Sequence, residues 1–189
     1  MARKSKKRKV LKFKRRRDSL TNYKKRLALI KSSLDRVVVR KSNKGIIAQI
    51  VSYDAKGDKV TLSVDSRMLK KYNWQSRCNR PTAYLTGALL AKKARDANYN
   101  GELVLDIGLS SSVSSSIPFI FAKGCADGGL KIKGSFDYDE KIYMPGRIAE
   151  YAKKRRESGD NVSFSMYVNE SSMEKIDDLF NKVKNEINK

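Results

Sequence analysis

Histidine is absent from this 189-residue chain. Without it there is no Ser-His-Asp triad, no Cys-His pair, no imidazole acid or base, and no His-ligated zinc. Cysteine occurs only at Cys78 and Cys125, far apart and in no CxxC spacing. One disulfide between them is possible; two buried free thiols in a reducing compartment is the reading that cysteine's preference for interiors favours. Long apolar runs are also missing. Ile46 to Val51, with Gln49 inside it, is among the longest, well short of the roughly 18 residues of a membrane span. No apolar stretch follows the basic N-terminus, so a secretory signal is not expected and the cytosol is the expected location. There is no GxxxxGK[ST] loop, and Gly124, Gly128 and Gly129 do not form a GxGxxG fingerprint; no cofactor is implied.

Acidic side chains are scarce: 20 Asp+Glu stand against 42 Lys+Arg, for a net charge of +22. The excess is not spread evenly. Residues 1–31 carry fifteen Lys/Arg and one acid, Asp18, a net of +14, whereas residues 160–189 sum to −2. A basic head on an acidic tail is not a solubility device. It reads as an electrostatic footprint for a polyanion.

The head has internal order. Residues 3–9 offer nothing apolar to bury, so on their own they should order only on a partner. From Lys12 onward Phe13, Leu20, Tyr23, Leu27 and Ile30 recur at spacings of 7, 3, 4 and 3, a helical stripe surrounded by Arg15, Arg16, Arg17, Lys24, Lys25 and Arg26. The expectation is a basic helix laid on nucleic-acid phosphates, with Tyr23 placed to stack or hydrogen-bond. A membrane-surface helix would need a broader apolar face.

Three strands are expected next, over Arg36–Lys41, Ile46–Tyr53 and Lys59–Asp65, joined by Asn/Asp/Gly turns into an antiparallel meander. Ser66–Arg80 is less regular. Pro81 then opens a helix running to about Asn98, and Glu102–Ile107 reads as a buried strand. Strand, helix, strand is a crossover, so this last strand should pair in parallel. Six serines fill Ser110–Ser116, and a second helix spans about Pro118 to Gly128. The expected class is α/β, a three-layer α/β/α arrangement on a mixed sheet: a three-strand antiparallel meander plus one parallel crossover strand. The expected organisation is a basic arm and helix over 1–34, an α/β core over 35–135, and a helical extension over 136–189. Within the last, Pro145 opens Gly146–Arg156, and Ser171-Ser172-Met173-Glu174 matches a capping box before Ile176, Phe180, Val183 and Ile187.

A mixed sheet of this kind can host a metal-dependent nuclease built on converging carboxylates. The available strand-end acids are Asp54, Asp65 and Asp106. Each has a plainer use, in a turn, as a cap, or on loop amides, so neither a catalytic nor a metal site is expected. A generic DNA-packaging protein would need neither the ordered domain nor a polar hairpin. That hairpin, Val39-Arg40-Lys41-Ser42-Asn43-Lys44, places cations beside short amide and hydroxyl side chains that suit phosphates, 2′-hydroxyls and base edges.

A family resemblance rests on an ordered set of motifs. They are Phe13-Lys14-Arg15-Arg16-Arg17, Tyr23 with Arg26-Leu27, Val39-Arg40-Lys41-Ser42-Asn43 followed by Ala48-Gln49-Ile50, Pro81 with Ala83-Tyr84-Leu85-Thr86-Gly87, and Leu105-Asp106-Ile107-Gly108-Leu109. Lys123-Gly124, Asp127-Gly128-Gly129-Leu130, Arg147-Ile148-Ala149-Glu150-Tyr151 and Phe164-Ser165-Met166-Tyr167 continue it. Together they resemble, nearly end to end, the universal 5S-rRNA-binding family of the large ribosomal subunit in its archaeal form. The resemblance implies a non-catalytic protein that anchors 5S rRNA in the central protuberance and also meets large-subunit rRNA and neighbouring ribosomal proteins, with no membrane or small-molecule partner. Carried over by position, the implied RNA contacts are Arg15, Arg16, Arg17, Tyr23, Arg26, Arg40, Lys41, Ser42 and Asn43, with Gln49 and Thr86 as weaker ones. Ser110–Ser116 departs from the family pattern by carrying no cation.

Overall fold

Alternating burial shows why the chain pairs as it does. The computed structural model describes residues 11–159 and 176–189. Strand β1 (Asp35–Lys41) buries Val37 and Val39 on one face, and β2 (Ile46–Ser52) buries Ile46, Ala48 and Ile50 on the same face. Their antiparallel register sets Val37 opposite Ile50 and Val39 opposite Ala48. The third strand, β3 (Lys59–Asp65), pairs antiparallel with β2, with a register shift at Ile50/Val51. The crossover returns as β4 (Leu103–Asp106), parallel to β1, giving the order β3-β2-β1-β4. The mixed sheet is therefore the one expected.

The helices are α1 (Lys14–Arg17), α2 (Tyr23–Ile30), α3 (Arg80–Asp96), α4 (Ile117–Asp127), α5 (Glu140–Tyr143), α6 (Gly146–Glu157) and α7 (Ile176–Asn188). A short 3-10 helix, Ser66–Tyr72, occupies part of the irregular stretch. Asn79 opens α3 by accepting from the Thr82 amide at 3.0 Å, and Pro81 needs no donor there.

Both crossover helices serve one face. α3 packs on β2 and β3, α4 packs on β1, and the two lie against each other. α7 joins them through Ile176, Phe180, Val183 and Ile187, all buried in the common core. The opposite face displays Arg36, Arg40 and Gln49, which an apolar helix face cannot cover without stranding polar groups. Only α2 stands over that side, so the layer expected there is thin and set off from the sheet by an open cleft.

The basic helix foreseen from Lys12 onward is broken. α1 ends at Arg17, Ser19 adopts a left-handed φ of 53°, and Asn22 restarts the helix by accepting from the Lys25 amide at 3.1 Å. The proposed stripe therefore does not form one face. Phe13, Leu20 and Leu27 are 75%, 57% and 55% exposed, and Phe13 instead meets the Tyr23 ring, 5.7 Å away. The tail at 3–9, the motif at 164–167 and the capping box at 171–174 lie outside the described residues. Both cysteines are free; Cys125 is buried, but Cys78 is only half-buried.

The helical side of the core is stitched by aromatic packing. Tyr84 stacks on Tyr143 at 4.3 Å and donates its hydroxyl to Asp127 at 2.9 Å. Burial, then the bond to Asp127, pushes the Tyr84 hydroxyl above the usual phenol range, and burial with the nearby Glu140 charge pushes Tyr143 up to about 12. Two glycines permit the contact between α3 and α4. A Cβ on Gly87 would lie 2.2 Å from the Phe121 carbonyl oxygen, and one on Gly124 would lie 2.2 Å from that of Tyr84. Since the obstacles are backbone atoms, Gly124→Ala should force the helices apart and lower stability by roughly 1–3 kcal/mol. Urea unfolding followed by circular dichroism measures this; an unchanged midpoint would mean that the interface yields freely.

Candidate nucleic-acid interface

Arginine in a valine strand requires a partner. On β1 the outward positions are Arg36, Val38 and Arg40, and Arg36 is only 3% exposed. Its guanidinium lies between two carboxylates. Nη2 is 2.8 Å from Asp58 Oδ2, an ion pair in which the N–H is not aimed at that oxygen, and Nη1 donates to Asp106 Oδ2 at 3.3 Å. Asp58 also takes Arg26 of α2 at 2.9 Å, and Asp106 takes Arg40 at 3.2 Å. The result is an alternating chain, Arg26–Asp58–Arg36–Asp106–Arg40. It ties α2, the β2–β3 turn, β1 and the end of β4 into one charged face with one more cation than acids.

Asp106 has a further duty, accepting from the Gly108 amide at 2.8 Å where the chain turns with φ of 61°. Asp54 accepts from the Lys56 amide within its turn, and Asp65 from the Arg67 amide at the head of the 3-10 helix. The three acids weighed for a nuclease are thus spent on turns, a cap and arginines. Among the described residues, no group of three acids or thiols gathers to hold a metal.

Most of the sequence-derived residues converge on this face. Arg15, Arg26, Arg40, Lys41 and Gln49 all line the cleft between α2 and the sheet. Arg15 donates to Thr21 at 2.9 Å. Arg16 and Arg17 are exposed on α1 and have no acidic partner among the described residues. Tyr23 begins α2 with its ring half-buried against Phe13. Asn43 and Lys41 are exposed in the hairpin.

Three residues differ from the expectation. Arg40 is not a free cation, because it also donates to the carbonyls of Val39 and Asp106 at 2.8 and 2.9 Å. The Ser42 hydroxyl is used inside its turn, donating to the Gly45 carbonyl and accepting from the Gly45 amide. Thr86 is fully buried in α3 and donates to the Thr82 carbonyl at 2.6 Å. It has no surface to present and is withdrawn as an RNA contact.

Arg36, Asp58 and Lys25 were missed. Strand alternation does put Arg36 on the face of Arg40, but no local pattern brings a turn aspartate 22 residues later onto it. Ser110 and Ser112 line the cleft and supply no charge. Half-burial pushes the Cys78 thiol up, with the Lys41 charge acting against it, so Cys78 is poorly suited to act as a thiolate.

Comparison with known proteins agrees with this geometry. Residues 7–103 match the family model of ribosomal large-subunit proteins 60S L5 and 50S L18. The chain is similar to the large ribosomal subunit protein uL18 of Korarchaeum cryptofilum, with 39% identity over 170 residues, covering 88% of this chain and 87% of that one.

Arg36→Met should therefore leave Asp58 and Asp106 facing each other across an emptied centre. Breaking a buried pair typically costs 3–5 kcal/mol, and partial exposure of Asp58 puts the expected loss near 3 kcal/mol. Denaturant titration reads the loss directly; a cost below about 1 kcal/mol would place the network with ordinary surface pairs.

Proposed function

The chain belongs to the family of large-subunit ribosomal proteins 60S L5 and 50S L18, and from that premise we propose that it binds 5S rRNA through the face shared by α1, α2, the β1–β2 hairpin and the outer side of the sheet. Membership makes it a structural, non-enzymatic component of the ribosome. Among the described residues no helix is long and apolar enough to cross a membrane.

The observation that carries the reading is the way charge is apportioned. Asp58 and Asp106 are occupied by Arg26, Arg36 and Arg40, so Arg16, Arg17, Lys25 and Lys41 are left uncompensated around one cleft. Those cations, with the residues of the arm, neutralise phosphates and release condensed counterions. Phosphate contacts orient the RNA without reading its sequence. Discrimination falls to Asn43, whose exposed amide both donates and accepts at the hairpin tip, and to Tyr23, whose hydroxyl reaches 2′-hydroxyls or bases. Arg15 and Arg26 join the phosphate contacts. Arg40 shapes the surface more than it supplies free charge, and Ser42 acts by holding the turn that presents Asn43. Large-subunit rRNA and neighbouring proteins are assigned to surfaces away from the cleft, including the exposed side of α6 around Arg147 and Lys154.

If about eight cations meet phosphates, log K for 5S rRNA should fall against log salt with a slope of roughly −6 to −7. Replacing Arg15, Arg16 and Arg17 together by Gln should reduce that slope by about 2–3. An unaltered slope, measured by filter binding, would put the interface elsewhere. Asn43→Ala should weaken 5S rRNA binding while leaving an unrelated RNA duplex unaffected; equal losses on both would reduce the hairpin to a structural role.

A further inference from the structure

The cleft between α2 and the sheet encloses about 940 Å³, the upper part of the roughly 300–1,000 Å³ range of sites that take small ligands whole. A duplex is too broad to enter between a helix and a sheet. The walls divide by chemistry: the floor is apolar sheet surface, with Val38, Val51 and Val60 joined by Leu105, and Lys25 and Lys41 lie on its margins.

One polar side chain breaks the floor. Gln49 is flanked in register by Val38 on β1 and Ser63 on β3. Its amide is half-buried and forms no hydrogen bond with any described residue. Covering such a group with a purely apolar ligand would cost the desolvation of unpaired donors and acceptors. A ligand with a flat face and a donor-acceptor edge answers both features, and a nucleobase has that form. The acids on the walls, Asp58 and Asp106, are already paired, so the charge left for the ligand is positive.

We propose that the cleft receives one unpaired nucleotide of the bound RNA, its base lying on the valine floor with its edge at the Gln49 amide and its phosphate facing Lys25 and Lys41. The assignment rests on the RNA-binding reading above and adds a specificity residue to it. No aromatic ring lines the cleft, so the base is held by aliphatic contact and amide hydrogen bonds, not by ring stacking.

The test uses the full chain and three otherwise identical RNA duplexes: fully paired, with one bulged adenosine, and with an abasic bulge at the same position. The bulged adenosine should bind about tenfold more tightly than the paired duplex, as expected for one accommodated base, and the abasic bulge should lose that gain. Gln49→Leu should remove the gain while leaving affinity for the paired duplex unchanged. Gln49→Glu, which keeps the shape but loses the N–H donors, should remove most of it. Equal binding of all three RNAs, or a gain that survives both substitutions, would overturn the proposal. So would displacement of the bulged RNA by an acidic peptide more effectively than by simple salt at equal ionic strength, which would give the cleft to a protein partner. If 5S rRNA still binds tightly while the bulge brings no gain, the cleft assignment alone fails; loss of 5S rRNA binding itself would defeat the broader reading.

Discussion

A guanidinium taken out of water must be answered by carboxylates, and the outer half of this molecule is arranged around that requirement. Arg36 sits in the central strand pair with almost no exposure. Its two acids come from opposite ends of the sheet, one from the β2–β3 turn and one from β4. Each acid then holds another arginine, which fixes where α2 lies and how β4 leaves the sheet. A hydrophobic residue in place of Arg36 would have sealed this face as a second core. The ion chain keeps it polar, open and ordered.

The same constraint separates building from binding. Val37, Val39, Ile46, Ala48 and Ile50 face α3, α4 and α7, and that side carries the stability. The outer side carries charge and a cleft, with α2 attached through Arg26 and Asp58. Interaction residues are therefore mounted on a rigid sheet without being part of what folds it. Ser42 shows the division on a small scale: its hydroxyl is spent closing the hairpin, which leaves Asn43 at the tip free to meet a partner.

The sequence was most informative where local chemistry decides. Strand alternation, turn residues, Asn79 before Pro81 and the strand-helix-strand order were enough to anticipate the sheet, its pairing sense and α3. Charge clustering and the hairpin's composition pointed to the face that carries the candidate site. What escaped depended on distance. Nothing near Asp58 shows that it meets Arg36, and nothing in the spacing of Phe13, Leu20 and Leu27 shows that Ser19 breaks the helix. Thr86 misled for the reverse reason: a motif match identifies a position without saying which way the side chain faces, and in α3 it faces the core.

The meeting of Gly87 and Gly124 has a consequence for how this domain tolerates drift. In most cores an enlarged side chain is accommodated by trimming its neighbour. Here each glycine confronts the other helix's carbonyl oxygen, and neither position has anything left to trim. The two sites cannot compensate for each other through size. The separation of α3 and α4 is already set by the smallest residue available, so variation has to be absorbed elsewhere in the helical layer.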